Sequence, residues 1–319
     1  MRNRKKIFIT GGEGFIGSYL IGRLSKEGFS TASFDMNLNF INNPNYYLRC
    51  LNLRKKILKK PDKRYKGDIR NMDKLKKAVA DFKPDIIVHL AGLPMARTPQ
   101  NYTHLMIPIN MQGTINTLAV FEQSTAKRFV FASSSMAYGH FRQTPQSEDF
   151  ILDPVNTYGA TKAAGEYFVK LSKKEWAIVR ATSVYGFTDC ANRVTQLLTD
   201  AAIQKKPAWV VKGETLDFSY IDDVIDGYIK CILSKEAAGN TFNISRGDAR
   251  AASEFTEILK QYFPEFKYEI KEPQGYQVWR GPMDITKANR ILGFEPKFSI
   301  EDGIKKTLDL IKKYDFYNF

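Results

Sequence analysis

Cysteine and histidine are scarce in this chain of 319 residues, three of each. Cys50, Cys190 and Cys231 stand far apart with no metal-ligand or redox spacing among them, so neither a disulfide framework nor a zinc-ligand set organises the fold. A reducing cytoplasm is the expected home. No apolar run approaches the roughly 18 residues that cross a bilayer, which excludes an integral membrane helix. The basic start, Arg2, Arg4, Lys5 and Lys6, has the charge of a secretory leader, but only Ile7, Phe8 and Ile9 follow before Thr10 and two glycines, and the segment reads as a strand. Acidic residues are in deficit, 34 against 48 Lys and Arg, for a net charge of +14. That excess favours an anionic partner: a nucleotide, a nucleic acid, an anionic lipid or a phosphorylated substrate. Part of it is local, because Arg49, Arg54, Lys55, Lys56, Lys59, Lys60, Lys63, Arg64 and Lys66 face only Asp62. Only Tyr65 interrupts that run, so it reads as a solvated helix–loop connection and not as a nucleic-acid arm.

What is present is an ordinary globular composition, 43% hydrophobic and 13% aromatic, at a length that suits one large α/β unit with an appended part. Short apolar runs at 6–10, 31–35, 85–91, 128–133 and 177–182 read as buried strands. Helical patterns lie between them at 14–27, 72–81, 104–123 and 155–172. This alternation predicts a Rossmann-type, doubly wound parallel sheet. Beyond residue 183 the pattern loosens: 241–244 reads as one more strand, 254–262 and 304–312 as helices, and Pro264, Pro273, Pro282 and Pro296 mark turns. The expected division is a nucleotide-binding domain over 1–182, with a return segment near 217–247, and a smaller α+β substrate-binding domain over 183–319 packed against it.

Between the first strand and the first helix stands Thr10-Gly-Gly-Glu-Gly-Phe-Ile-Gly17. Gly11, Gly14 and Gly17 allow a tight turn, close approach of a pyrophosphate and close packing of the helix, whose N-terminus then faces the anion. The strand–glycine–helix context is what the pattern needs to mean a dinucleotide. Asp35 ends the second strand, where a carboxylate accepts hydrogen bonds from an adenosine ribose. Met36 and Asn37 follow it in place of Arg or Lys, so NAD is expected over NADP.

Further on, Tyr158 and Lys162 lie four apart on a predicted helix and share a face. An adjacent ammonium lowers a phenol by about 1–3 units, which brings phenolate within reach as a general base. Ser133, Ser134 and Ser135 follow a buried strand, at the sheet edge where α/β proteins bind ligands. These motifs, with Gly67-Asp-Ile-Arg70, His89-Leu-Ala-Gly92, Asn110 to Asn116, Asp217-Phe-Ser-Tyr-Ile-Asp-Asp223 and Leu292-Gly-Phe-Glu-Pro296, resemble the extended short-chain dehydrogenases/reductases over nearly the whole chain. Within that group the chain is similar to the NAD-dependent epimerases and dehydratases of nucleotide sugars.

The resemblance implies that Gly11, Gly14, Phe15, Ile16, Gly17 and Asp35 bind NAD, with Asp68 and Ile69 at the adenine and Leu90, Ala91, Gly92 and Ser133 along the nicotinamide path. Tyr158 and Lys162 would serve both cofactor and catalysis, and the family's catalytic hydroxyl falls on Ser134. His89 reads as a packing residue. The 4,6-dehydratases carry an Asp-Glu pair where this chain has Ser135 and Met136, and decarboxylases and 3,5-epimerase-reductases also need groups missing there. What remains is oxidation and re-reduction at C4, a nucleotide-sugar 4-epimerase. A C4-dehydrogenase or 4-ketoreductase that releases its cofactor needs the same residues, and a non-catalytic NAD- or RNA-binding relative is the alternative of another class. The resemblance also implies a homodimer through the helices at 104–123 and 155–172, a nucleotide-diphosphate sugar as substrate, and no metal, nucleic acid or membrane insertion. Two departures bear on substrate: Ser183 stands where relatives have Asn, and Leu216 where they have a diphosphate-gripping Arg. Ser134, Ser135 and Ser183 are expected at the sugar, with Arg193 and Arg280 as candidates for the missing cation.

Overall fold

A computed structural model describes residues 4–36, 44–94, 103–274 and 278–317. The first half runs β1 (Lys6–Thr10), α1 (Phe15–Lys26), β2 (Ser30–Asp35), α2 (Pro44–Ile57), β3 (Lys63–Lys66), α3 (Met72–Phe82) and β4 (Ile86–His89). There follow α4 (Thr103–Ile107), a π turn (Pro108–Gln112), α5 (Gly113–Gln123), β5 (Arg128–Ser134), α6 (Thr157–Lys170) and β6 (Glu175–Ala181). The second half holds β7 (Val184–Tyr185), α7 (Val194–Ile203), β8 (Ala208–Val211), β9 (Thr215–Asp217), β10 (Ser219–Tyr220), α8 (Ile221–Leu233) and β11 (Asn240–Ile244). It closes with β12 (Ala249–Ala251), α9 (Ala252–Tyr262), β13 (Tyr268–Lys271), α10 (Thr286–Leu292) and α11 (Ile300–Lys313).

Seven strands form one sheet in the order β11-β6-β5-β4-β1-β2-β3, every pair parallel. Parallel strands need both faces covered, and two separate cores do this. Ile7, Ile9, Val88 and Val130 face α1 and α8 in a core that continues to Phe255, Leu259, Ile300 and Ile304. Phe8, Phe34, Ile87, Phe129 and Phe131 face the other way, onto Leu75, Val79 and Phe121. Strand β11, contributed by the second half, pairs with β6 over Asn240–Ile244 and so borders the sheet. The doubly wound parallel architecture expected from the alternation is the one observed.

The differences have local causes. β4 stops at His89, and Leu90 and Ala91 turn onto the end of β1, where their N–H groups meet the Thr10 carbonyl and hydroxyl at 3.1 and 3.4 Å. The helix expected over 104–123 widens after Pro108, which has no N–H to give; the Gly113 N–H reaches back five residues to the Pro108 carbonyl. The basic stretch is largely the solvated connection expected, with Lys56, Lys59, Lys60, Lys63, Arg64 and Lys66 exposed, but one of its cations is not. The stretch forms α2 and β3, and the Arg54 side chain is fully buried, donating to the Thr188 and Glu13 carbonyls at 2.8 and 3.1 Å. Arg49 donates to the Phe316 carbonyl and Lys59 to that of Ser25. The same helix brings Cys50 within hydrogen-bond reach of Cys190, a proximity their spacing in the chain conceals; both thiols are free. Among the described residues no helix is long and apolar enough to cross a membrane, and no cluster of metal-ligating side chains occurs.

Candidate functional site at the carboxyl edge of the sheet

The nucleotide end is built by glycines that nothing larger could replace. Gly11 has φ +73°, and a Cβ there would lie 2.7 Å from the Ala91 nitrogen; one at Gly17 would lie 2.2 Å from the Gly11 carbonyl oxygen. Gly14 caps α1, leaving the amides of Phe15, Ile16 and Gly17 at the helix N-terminus without intrahelical acceptors. Asp35 lies beside this loop, its Oδ2 accepting the Glu13 N–H at 3.0 Å; Asn37 lies outside the described residues. Asp68 is bound by Arg70 through side chain and backbone; burial opposes ionisation, yet these bonds bring its carboxyl below the usual range. Ile69 is buried against Gly113, and its carbonyl accepts from Asn116 at 3.0 Å. His89 sits between the hydroxyls of Thr10 (2.7 Å) and Thr114 (3.0 Å), and burial lowers its pKa to about 3, so it is a neutral packing residue.

At the other end, Asn156 caps α6 by accepting the Gly159 N–H at 2.8 Å. The absence of a side chain at Gly159 lets the helix press on Met136, where a Cβ would lie 2.2 Å from the carbonyl oxygen. Tyr158 and Lys162 are thereby brought beside the end of β5. The Lys162 ammonium donates to the Ala132 carbonyl at 2.8 Å and lies 5.8 Å from the centre of the Tyr158 ring. Burial lowers its pKa to about 8, partly offset by the Glu166 carboxylate. A Cβ on Gly92 would lie 3.8 Å from that ammonium and 3.0 Å from Asn110 Oδ1, so the Leu90–Gly92 segment reaches Lys162.

Three expectations change here. Burial raises the Tyr158 phenol above its ordinary value, and the groups that pull it down are Arg193 and a hydrogen bond with Ser134, not Lys162. The protein by itself therefore holds Tyr158 as the neutral phenol. Ser133 does not face the cleft with its hydroxyl, which donates to buried Glu166; Glu166 in turn receives a bidentate pair from Arg180 at 2.8 and 2.7 Å. Ser135 donates to Thr182 at 2.8 Å. Of the three serines, Ser134 alone has its hydroxyl with Tyr158, and it also accepts the Met136 N–H at 3.2 Å.

The residues proposed for substrate are spread out. Ser183, at φ +42°, follows β6 at the sheet edge. Arg193 is held by Asp189 at 2.7 Å and acts electrostatically on Tyr158, so it belongs to the catalytic end. Arg280 lies on a segment clipped to Phe141 and Gln146 through the Trp279 and Pro282 carbonyls. Leu216 is buried in the core. Asn110 escaped the residue-by-residue reading. Its amide accepts from Leu93 N–H at 2.7 Å and donates to Thr161 at 3.1 Å, tying the Gly92 loop to α6. Pro108 inside a helical pattern was the available signal. Glu13, with Arg64 and Lys55 on its carboxylate at 3.1 and 3.8 Å, was also missed.

Residues 8–307 match the family model described as GDP-mannose 4,6 dehydratase. An uncharacterised protein of Methanocaldococcus jannaschii is 29% identical, covering 95% of this chain and 94% of its own. A UDP-glucuronate 4-epimerase of Thermodesulfobacterium geofontis is 28% identical over 96% of this chain and 95% of its own. Among solved structures, a UDP-glucuronic acid 4-epimerase from Bacillus cereus, in complex with UDP-glucuronic acid and NAD, superposes with a TM-score of 0.86 at 25% identity, covering 97% of this chain and 99% of that one.

Proposed function

The chain belongs to the GDP-mannose 4,6-dehydratase family of the extended short-chain dehydrogenases/reductases, and from that premise we propose that it is an NAD-dependent nucleotide-sugar 4-epimerase. The observation that carries this reading is the pairing of Ser134 with Tyr158 beside Lys162, while Ser135 is engaged by Thr182 and Met136 is buried. Elimination of water needs an additional acid and base next to the catalytic hydroxyl, and neither residue supplies one. Reversible oxidation at one carbon needs only what is there.

The residues fit NAD: the Gly11 and Gly17 cradle would be filled by any Cβ, and the amides of Phe15, Ile16 and Gly17 crown α1. Gly14 and these amides would take the pyrophosphate, Asp35 the adenosine ribose, Asp68 and Ile69 the adenine, and Leu90, Ala91, Gly92 and Lys162 the nicotinamide half. Bound there, NAD would supply a reversible acceptor for the sugar's hydride. Tyr158, ionised once the sugar and a cationic ring share its site, takes the proton of the 4-hydroxyl. Ser134 donates to the same oxygen as it becomes a carbonyl. Lys162 holds the nicotinamide half beside that oxygen, and after the keto sugar has turned over Tyr158 returns the proton. Arg193, Ser183 and Arg280 are the side chains offered to the rest of the substrate, which is a nucleotide-diphosphate sugar.

The test is a screen of UDP-, GDP-, dTDP- and CDP-sugars that follows product stereochemistry and NADH release together. Inverted product without NADH is expected; stoichiometric NADH release would overturn the epimerase in favour of a dehydrogenase. The same reading makes the protein a cytoplasmic homodimer. Ile107, Ile115, Tyr167, Phe168 and Leu171 are exposed apolar side chains on α4–α6 and its end, and their burial against a second copy is what the dimer supplies. Sedimentation of the chain as a monomer at micromolar concentration would remove that interface.

A further inference from the structure

The catalytic reading leaves the basic stretch unused, yet its side chains converge behind the glycine loop. Arg54, Lys55, Lys59, Lys60 and Arg64 line a small, tight recess, and Glu13 places a carboxylate in its wall. Glu13 is nearly sealed from solvent, its side chain 7% exposed. Its Oε1 lies 3.1 Å from Arg64 Nε, its Oε2 lies 3.8 Å from Lys55 Nζ, and its carbonyl accepts from Arg54. The Nε of Arg54 is buried with no hydrogen-bond partner among the described residues, so a lining side chain keeps a donor in reserve. The recess adjoins the ribose position, because the Glu13 N–H is the group bound by Asp35. β3 pairs with β2 so that Arg64 stands opposite Ser33 and Lys66 opposite Asp35, on one face of the sheet.

We propose that this recess is a phosphate site held shut by an internal anion: the Glu13 carboxylate engages the cations that would otherwise take a 2′-phosphate on the adenosine ribose. Glu13 and Asp35 together then set the preference for NAD over NADP. A guanidinium accepts carboxylate and phosphate oxygens through the same donors, so an anion fixed in the chain competes with one carried by the cofactor. The inference rests on the NAD reading above and adds a second determinant, a glycine-loop carboxylate whose cationic partners come from α2 and β3.

Fluorescence titration of the purified full chain with NADH and NADPH tests it without turnover. Wild type is expected to favour NADH. Glu13→Gln should narrow the NADH-to-NADPH ratio about tenfold or more by a gain in NADPH affinity, the scale of one charge-assisted contact, and adding Arg64→Gln should abolish the gain. An unchanged ratio in Glu13→Gln, or a gain that survives Arg64→Gln, would overturn the proposal. Should Glu13→Gln fail to fold, Arg64→Gln alone decides the matter: discrimination against NADPH should widen about threefold or more, and an unchanged ratio sinks the idea. Wild type binding neither nucleotide would instead defeat the NAD reading itself, and this inference with it.

Discussion

The two ends of the cleft handle charge in opposite ways. At the β5–α6 end the titratable groups are buried among apolar and main-chain atoms. Burial moves both toward neutrality, Lys162 down to about 8 and Tyr158 upward. At the β2–β3 end the charges are fixed and paired, with Glu13 between Arg64 and Lys55, Asp35 on a backbone amide, and Asp68 held ionised by Arg70. A proton has to move at the first end, and a group whose charged and neutral forms are close in energy can pass one. At the second end no proton is exchanged; there the arrangement decides which nucleotide fits. Substitutions at the catalytic end should therefore read out in rate, and those at the nucleotide end in binding preference.

The largest effect that would break this contrast is at Tyr158. Tyr158→Phe should lower turnover by about 10²- to 10⁴-fold, the usual worth of a positioned general base, with NADH affinity and melting temperature near wild type. A variant that still turns over would end the division of labour. Next is the buried pair behind the catalytic strand. Glu166→Ala leaves Arg180 buried without its bidentate partner and should cost about 3–5 kcal/mol of stability in denaturant titration. A loss under about 1 kcal/mol would mean that water or Tyr138, whose ring lies 4.5 Å from the Arg180 guanidinium, carries that charge. The smallest expected change is Asp35→Ala, which should narrow the preference for NADH over NADPH by about tenfold without altering the fold. An unchanged preference would remove Asp35 from the ribose site.

Legibility in the sequence followed the same contrast. The glycine loop, the serine strand and the Tyr158–Lys162 spacing are local patterns, and the elements that hold them, Lys6–Thr10, Phe15–Lys26, Arg128–Ser134 and Thr157–Lys170, fall within a few residues of the expected bounds. α2 was not legible, because its buried residues include Tyr47, Cys50 and Arg54 beside Leu51 and Leu53, and a buried arginine reads as a solvated one until its carbonyl partners are known. The ranking of the three serines depended on Glu166 and Thr182, which lie on other elements. The neutral state of Tyr158 depended on burial that outweighs the pull of Arg193, brought in by a loop after β7. Spacing within one helix predicts which side chains share a face; it carries no information about a cation arriving from elsewhere, and Arg193 is such a cation.

Strand β11 has a practical consequence for anyone cutting this protein in two. A fragment ended at residue 182 would contain Ser134, Tyr158, Lys162 and the whole glycine loop, yet it would leave β6, from Ala177 to Ala181, without the neighbour that satisfies its outer amides and carbonyls. Such a fragment would present a raw hydrogen-bonding border flanked by Ile178 and Val179, an invitation to stick to copies of itself. The N-terminal half is finished only after the ribosome has made the first 244 residues.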